Sequence, residues 1–153
     1  MKLSPKNQAS DLKIAIIHSK WNEYVVKALV DGAVETLEQA GAKEPLIVQV
    51  AGAWEIPLAA KTLIESGKFD GVIALGCVLQ GQTTHAQLLA SDVSSALMNL
   101  QMASGKPISW GILTPDTEEQ AISRAGMKHG NKGREAAGSL LELIATIRAI
   151  QKL

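Results

Sequence analysis

The stretch Gly71-Val-Ile-Ala-Leu-Gly-Cys-Val-Leu-Gln-Gly-Gln-Thr-Thr-His85 begins with six residues that carry no polar side chain, then passes through Gly81 into polar ones. A run this short and this apolar predicts a buried strand over Gly71–Gly76, then a loop, then a long helix over roughly Thr84–Ala103. The same unit occurs twice upstream. Leu12–His18 (LKIAIIH) and Leu46–Val50 (LIVQV) predict strands. The first is followed by helical spacing of Val26, Leu29, Val30, Ala33 and Leu37, which predicts a helix over Glu23–Ala40 stopped by Gly41. The second leads to a predicted helix over Glu55–Ser66, with Pro57 in its first turn and Gly67 behind it. Downstream, Ile108–Leu113 (ISWGIL) predicts a fourth strand. Asp116 is the expected N-cap of a short helix through Ala125, with Glu119 at the capping-box position. A glycine-rich turn, Gly126–Gly133, then leads into a last helix, Glu135–Lys152, striped by Leu140, Leu141, Ile144, Ile147 and Ile150.

The order is therefore βαβαβαβ followed by two helices. Strands this apolar are expected to be covered on both faces, which predicts a parallel sheet with right-handed crossovers. The expected class is α/β, a three-layer αβα sandwich around a four-stranded parallel sheet, in one domain over residues 1–153. A hydrophobic content of 46% can fill such a core. Lys+Arg and Asp+Glu number 15 each, so the chain lacks the cationic surplus that nucleic acid demands. Met1–Asp11 is polar, without the apolar segment of a signal peptide, and no apolar run nears the roughly 20 residues that span a bilayer. The single cysteine, Cys77, suits a reducing compartment. A soluble cytoplasmic protein is expected.

Open parallel sheets bind ligands beyond the carboxyl ends of their strands. That rule selects His18–Asn22, Ala51–Glu55, Cys77–His85 and Thr114–Asp116. Of the three tryptophans, Trp21 and Trp54 fall just past strands one and two, and Trp110 lies within strand four. Each alone reads equally well as core. Two together at the ligand end suit stacking against a planar heterocycle. Gly76–Thr83 superficially resembles a P-loop, but Gln82 stands where the lysine belongs, which excludes nucleotide hydrolysis. The loop keeps its capacity for an anion, because Gly81, Gln82, Thr83 and Thr84 put backbone and hydroxyl donors at a helix N-terminus.

His85 occupies the first turn of that helix, beside the expected anion site. The dipole there disfavours an imidazolium, leaving a neutral ring available as a base; a capping or surface histidine is the bland alternative. His18 and His129 have no such context, the three histidines lack metal-ligand spacing, and no metal is expected. Cys77 reads either as a nucleophile or as a small buried hydrophobe, and the absence of an evident base favours the second. Arg124, Lys128, Lys132 and Arg134 crowd the glycine-rich turn: either a solvated basic turn or a set of cations directed to a site formed with another subunit.

Ala51-Gly-Ala-Trp-Glu-Ile-Pro57 resembles the lumazine synthase motif V-P-G-A-[FW]-E-I-P. Leu75-Gly-Cys-Val-Leu-Gln-Gly-Gln-Thr-Thr-His85 is similar to its L-G-x-V-I-[RQ]-G-x-T-x-H. Ser123-Arg-Ala-Gly-Met-Lys-His-Gly-Asn-Lys-Gly133 resembles its E-R-A-G-x-K-x-G-N-K-G, and Ser19-Lys-Trp-Asn22 its [RS]-x-[FW]-N. The likeness runs in order from about Leu12 to Ile150. It implies a flavodoxin-like sheet and the condensation of 5-amino-6-ribitylamino-uracil with 3,4-dihydroxy-2-butanone 4-phosphate, without cofactor or metal.

The resemblance also implies the site. His85 would carry protons. Trp21, Asn22, Ala53, Trp54, Glu55, Cys77, Val78 and Leu79 would line the pyrimidine and ribityl chain, with Trp110 and Lys132 supplied by a neighbouring subunit and Glu135 orienting that lysine. Gly81, Gln82 and Thr83 would hold the phosphate with the neighbour's Arg124. The family forms homopentamers, which many members close into icosahedral shells, and the compact Gly126–Gly133 turn is similar to that of shell-formers. Met1–Asp11 would add to a neighbour's sheet, and riboflavin synthase is a candidate partner. This chain departs from the pattern at Ala51, Trp110, Ala86 and Leu88. The last two follow His85, which keeps open an alternative: a non-catalytic lumazine- or flavin-binding storage paralogue in a cage-like assembly.

Overall fold

A computed structural model describes residues 1–6, 9–80, 85–126 and 130–153. Its elements run β1 (Ile14–Ser19), α1 (Glu23–Gln39), β2 (Leu46–Val50), a 3-10 turn (Ala53–Glu55), α2 (Ile56–Glu65), β3 (Gly71–Cys77), α3 (His85–Ser104), β4 (Ile108–Leu113), α4 (Glu118–Arg124) and α5 (Lys132–Gln151). The strands form one parallel sheet in the order β2-β1-β3-β4. The chain steps outward from β1 to β2, then crosses back to β3. The order therefore reverses between β1 and β3, where doubly wound sheets open a crevice at their carboxyl ends.

Side chains alternate across this sheet and divide the core in two. Ile14, Ile16, Ile73, Leu75 and Cys77 face α1 and α5, meeting Val26, Leu29, Ala33, Leu140, Leu141 and Ile144. Ala15, Ile17, Val72, Ala74 and Ile112 face α2 and α3, meeting Ile56, Ala60, Val93 and Leu97. The result is the three-layer α/β sandwich.

α5 lies unusually close to α1. A Cβ on Gly133 would overlap the Leu29 carbonyl oxygen and come within 2.7 Å of its carbon. One on Gly32 would meet the Asn131 side-chain amide at 2.5–2.7 Å. Only glycines at these two positions let the helix backbones approach so near. Asp11 and Asp70 both pair with Arg148 of α5, and Ala9 and Leu12 join the α1–α5 core. From Ala9 onward the N-terminal segment is thus held by its own protomer.

Three expectations change. The α4 N-cap is Thr117 rather than Asp116: Thr117 Oγ1 accepts from the Gln120 N–H at 3.2 Å, and Gln120 Oε1 accepts from the Asp116 N–H at 2.9 Å. α5 starts at Lys132, capped by Asn131, so the basic turn is shorter than the glycines suggest. β2 is not covered on both faces, because it is an edge strand on which Leu46 and Ile47 each remain 46% exposed. Among the described residues, no helix is long and apolar enough to cross a membrane.

Candidate active site

Parallel strands bring Ser19, Val50 and Cys77 to one end of the sheet, and the residues that follow build the first half of the site. Trp21 and Trp54 are 72% and 67% exposed there, which removes both from the core and leaves two flat apolar faces in solvent. A Cβ on Gly52 would stand 3.7 Å from Trp21 Cδ1 and 3.4 Å from Glu55 Oε2, so the two strand-end loops touch. Glu55 is held from behind: its Oε2 accepts from the Gly52 N–H at 2.9 Å while its own N–H donates to the Gly52 carbonyl at 3.2 Å. Ala53, in the same turn, is buried beneath them.

Asn22 adopts the left-handed conformation (φ 55°, ψ 53°) just before α1, a geometry its short amide tolerates better than most side chains. From there its side chain lies near the Cys77 thiol. Burial pushes that thiol up from 9.0 to about 11, against the smaller lowering by Asn22. Cys77 is 3% exposed and packs in the α1–α5 layer, so it is the buried hydrophobe of the two readings and not a nucleophile. Beyond it, β3 stays paired: the Val78 N–H donates to Leu113 O at 2.8 Å and the Gln80 N–H to Pro115 O at 2.9 Å. Val78 is half-buried and Leu79 stands at 37% exposure on this rim. His85 is the first residue of α3 and is exposed. Gly81, Gln82, Thr83 and Thr84 lie outside the described residues, as do Lys128 and His129.

The second group forms along the opposite edge. Trp110 and Lys132 line one cavity of about 240 Å³, with Glu135 and Ser139 of α5 and Ser109 of β4. Trp110 also closes a larger groove, about 440 Å³, between β4 and Ser91, Ser94, Leu97, Met98 and Gln101 of α3. Arg124 ends α4, exposed. An antiparallel bridge between Ala125 and Asn131 then sets Arg124 and Lys132 on either side of one short loop. The cations thus gather around β4 and α5, while the exposed indoles gather past β1 and β2. This separation agrees with the sequence expectation that Trp110, Arg124 and Lys132 are directed away from their own strand-end cleft.

Asn131, absent from the expected site, ties the second group together; its signal in the sequence was a helix-capping residue directly before Lys132. Among the described residues no group of three or more His, Cys, Asp or Glu could hold a metal ion. The family model described as 6,7-dimethyl-8-ribityllumazine synthase matches residues 11–148, nearly the whole of this sheet and its helices, and the chain belongs to that family.

Proposed function

We propose that the protein condenses 5-amino-6-ribitylamino-uracil with 3,4-dihydroxy-2-butanone 4-phosphate to give 6,7-dimethyl-8-ribityllumazine, phosphate and water, the penultimate step of riboflavin biosynthesis. The observation that carries this reading is the pair of exposed indoles, Trp21 and Trp54, beside a restrained Glu55 carboxylate at the sheet's ligand end. Stacking holds the pyrimidine, and Glu55 accepts from donors on the substrate. Trp110, Lys132 and Arg124 lie on the opposite edge, where a second copy can present them to this site. In this reading the working unit is a homo-oligomer with its sites between subunits.

The chemistry follows from these groups. The pyrimidine's amine attacks the ketone, and loss of water gives an imine. Inorganic phosphate then leaves, and the second amine adds to the remaining carbonyl and closes the ring with loss of a second water. Every step moves a proton, and the exposed His85 imidazole has a ring nitrogen that can take one and return it. Arg124 and the backbone donors before α3 stabilise the departing phosphate, with Gly81, Gln82 and Thr83 as its cradle. Positioning of the two reactants supplies much of the remainder.

The test mixes the protein with both substrates and follows lumazine absorbance and fluorescence, with His85→Ala and Arg124→Ala alongside. Product that forms in the wild type and slows by about 10²–10⁴-fold in His85→Ala supports the assignment. Tight binding of a lumazine or flavin without product would replace it with the storage paralogue.

A further inference from the structure

Arg124 ends a helix of only seven residues, and Lys132 opens the next. A helix of two turns has little stability of its own, and its last carbonyls need partners from elsewhere. Both needs converge on the 9%-exposed side chain of Asn131. Its Nδ2 donates to the Ala125 carbonyl at the end of α4 (3.1 Å) and to the Ala28 carbonyl in the middle of α1 (3.0 Å). Its Oδ1 accepts from the Arg134 N–H at 3.0 Å and so starts α5. One amide therefore joins three helices, and the slot that receives it exists because residue 32 is glycine.

We infer that Asn131 is a positioning residue: it fixes the α4–α5 junction against α1 and thereby holds Arg124 and Lys132 where the neighbouring subunit's substrate needs them. The inference rests on the functional reading above, in which those two cations serve that substrate. Capping α5 needs only the acceptor Oδ1. The two donations from Nδ2 add nothing to the cap, and they reach the carbonyls that tie the end of α4 to α1. That division separates positioning from folding.

The first variant is Asn131→Asp, which keeps the shape and the acceptor for the Arg134 N–H but loses both donations. The second is Gly32→Ala, which leaves Asn131 intact, improves the helix propensity of α1 and presses a methyl into the amide's slot. Steady-state lumazine formation is measured for each, alone and combined with Arg124→Ala, and thermal unfolding is recorded for all. Each variant is expected to lower kcat/KM for the sugar phosphate roughly tenfold, the scale of a displaced substrate contact. In the Arg124→Ala background the same changes should cost less than twofold more. Gly32→Ala gives the answer even where Asn131→Asp does not fold. Full multiplication of the two losses, or Gly32→Ala at wild-type kcat/KM while Arg124→Ala is impaired, overturns the inference alone. Wild-type kinetics in Arg124→Ala overturns the functional reading together with it.

Discussion

Gly133→Ala puts the α1–α5 contact to a quantitative test. In an ordinary helix interior this change is favourable by about 0.8–1 kcal/mol, because alanine loses less backbone freedom on folding. Here the added Cβ overlaps the Leu29 carbonyl oxygen and stands 2.7 Å and 2.9 Å from its carbon and Cα. Those atoms are backbone and cannot rotate aside. The helices must separate by roughly 1 Å, a gap that forfeits a quarter to a half of each dispersion contact along the seam. The seam holds Leu29, Val30 and Ala33 of α1 against Ala136, Ala137 and Leu140 of α5, all buried. Overpacking of this kind costs about 1–3 kcal/mol, more where backbone is struck, so a net loss near 2 kcal/mol remains after the propensity gain. For a chain of this length that lowers Tm by about 4–8 °C. Gly138→Ala is the internal control, since a Cβ there meets nothing within 4 Å; it should raise Tm by about 2 °C. Both are measured by circular dichroism at matched concentration. A Gly133→Ala protein as stable as wild type, or a Gly138→Ala protein that loses as much, would refute the packing argument.

Cys77 should be alkylated by iodoacetamide at pH 8 at least ~100-fold more slowly than in urea-unfolded chain, since its thiolate is that much rarer before burial adds its own hindrance. Between pH 9 and 11 the unfolded state binds fewer protons than the native one, so stability falls as pH rises, by roughly 2–3 kcal/mol from this group. Cys77→Ala should flatten that part of the stability–pH curve, and an unchanged slope would remove Cys77 as its source. Thr117→Ala should cost about 1 kcal/mol by freeing the Gln120 N–H, read as a Tm lowered by a few degrees. Arg148→Ala breaks the pairs with Asp11 and Asp70, both partly solvated, and should cost no more than about 1 kcal/mol, less at high salt. A larger, salt-insensitive loss would mean that this arginine does more than pair with them.

The fold was legible because its signals are local. β2 and β4 begin and end where their apolar runs do, and β1 and β3 differ by a residue or two. What went unseen depends on neighbours. Whether LIVQV is central or at an edge is decided by strand order, which no local pattern encodes, and the edge leaves Leu46 and Ile47 in solvent. Gly133 looks like a turn residue but is a contact residue, so α5 starts a full turn earlier than its apolar stripe suggests. Asp116 and Thr117 are both good caps, and the choice falls to the one whose hydroxyl meets Gln120. The strand-end rule put Trp21 and Trp54 just past β1 and β2, and both stand exposed there. The gathering of Trp110 with Lys132, and the three-helix tie made by Asn131, arise from contacts between elements far apart in the chain.

The bare flank of β2 has a consequence for how this chain behaves in solution. Among the described residues nothing pairs with its outer side, where backbone donors and acceptors lie in a row beside two solvent-facing aliphatic side chains. Such a flank recruits any extended peptide, including another newly made copy. A chain with that flank uncovered should therefore clump more readily as its concentration rises, and a charged residue in place of Ile47 should lessen the effect.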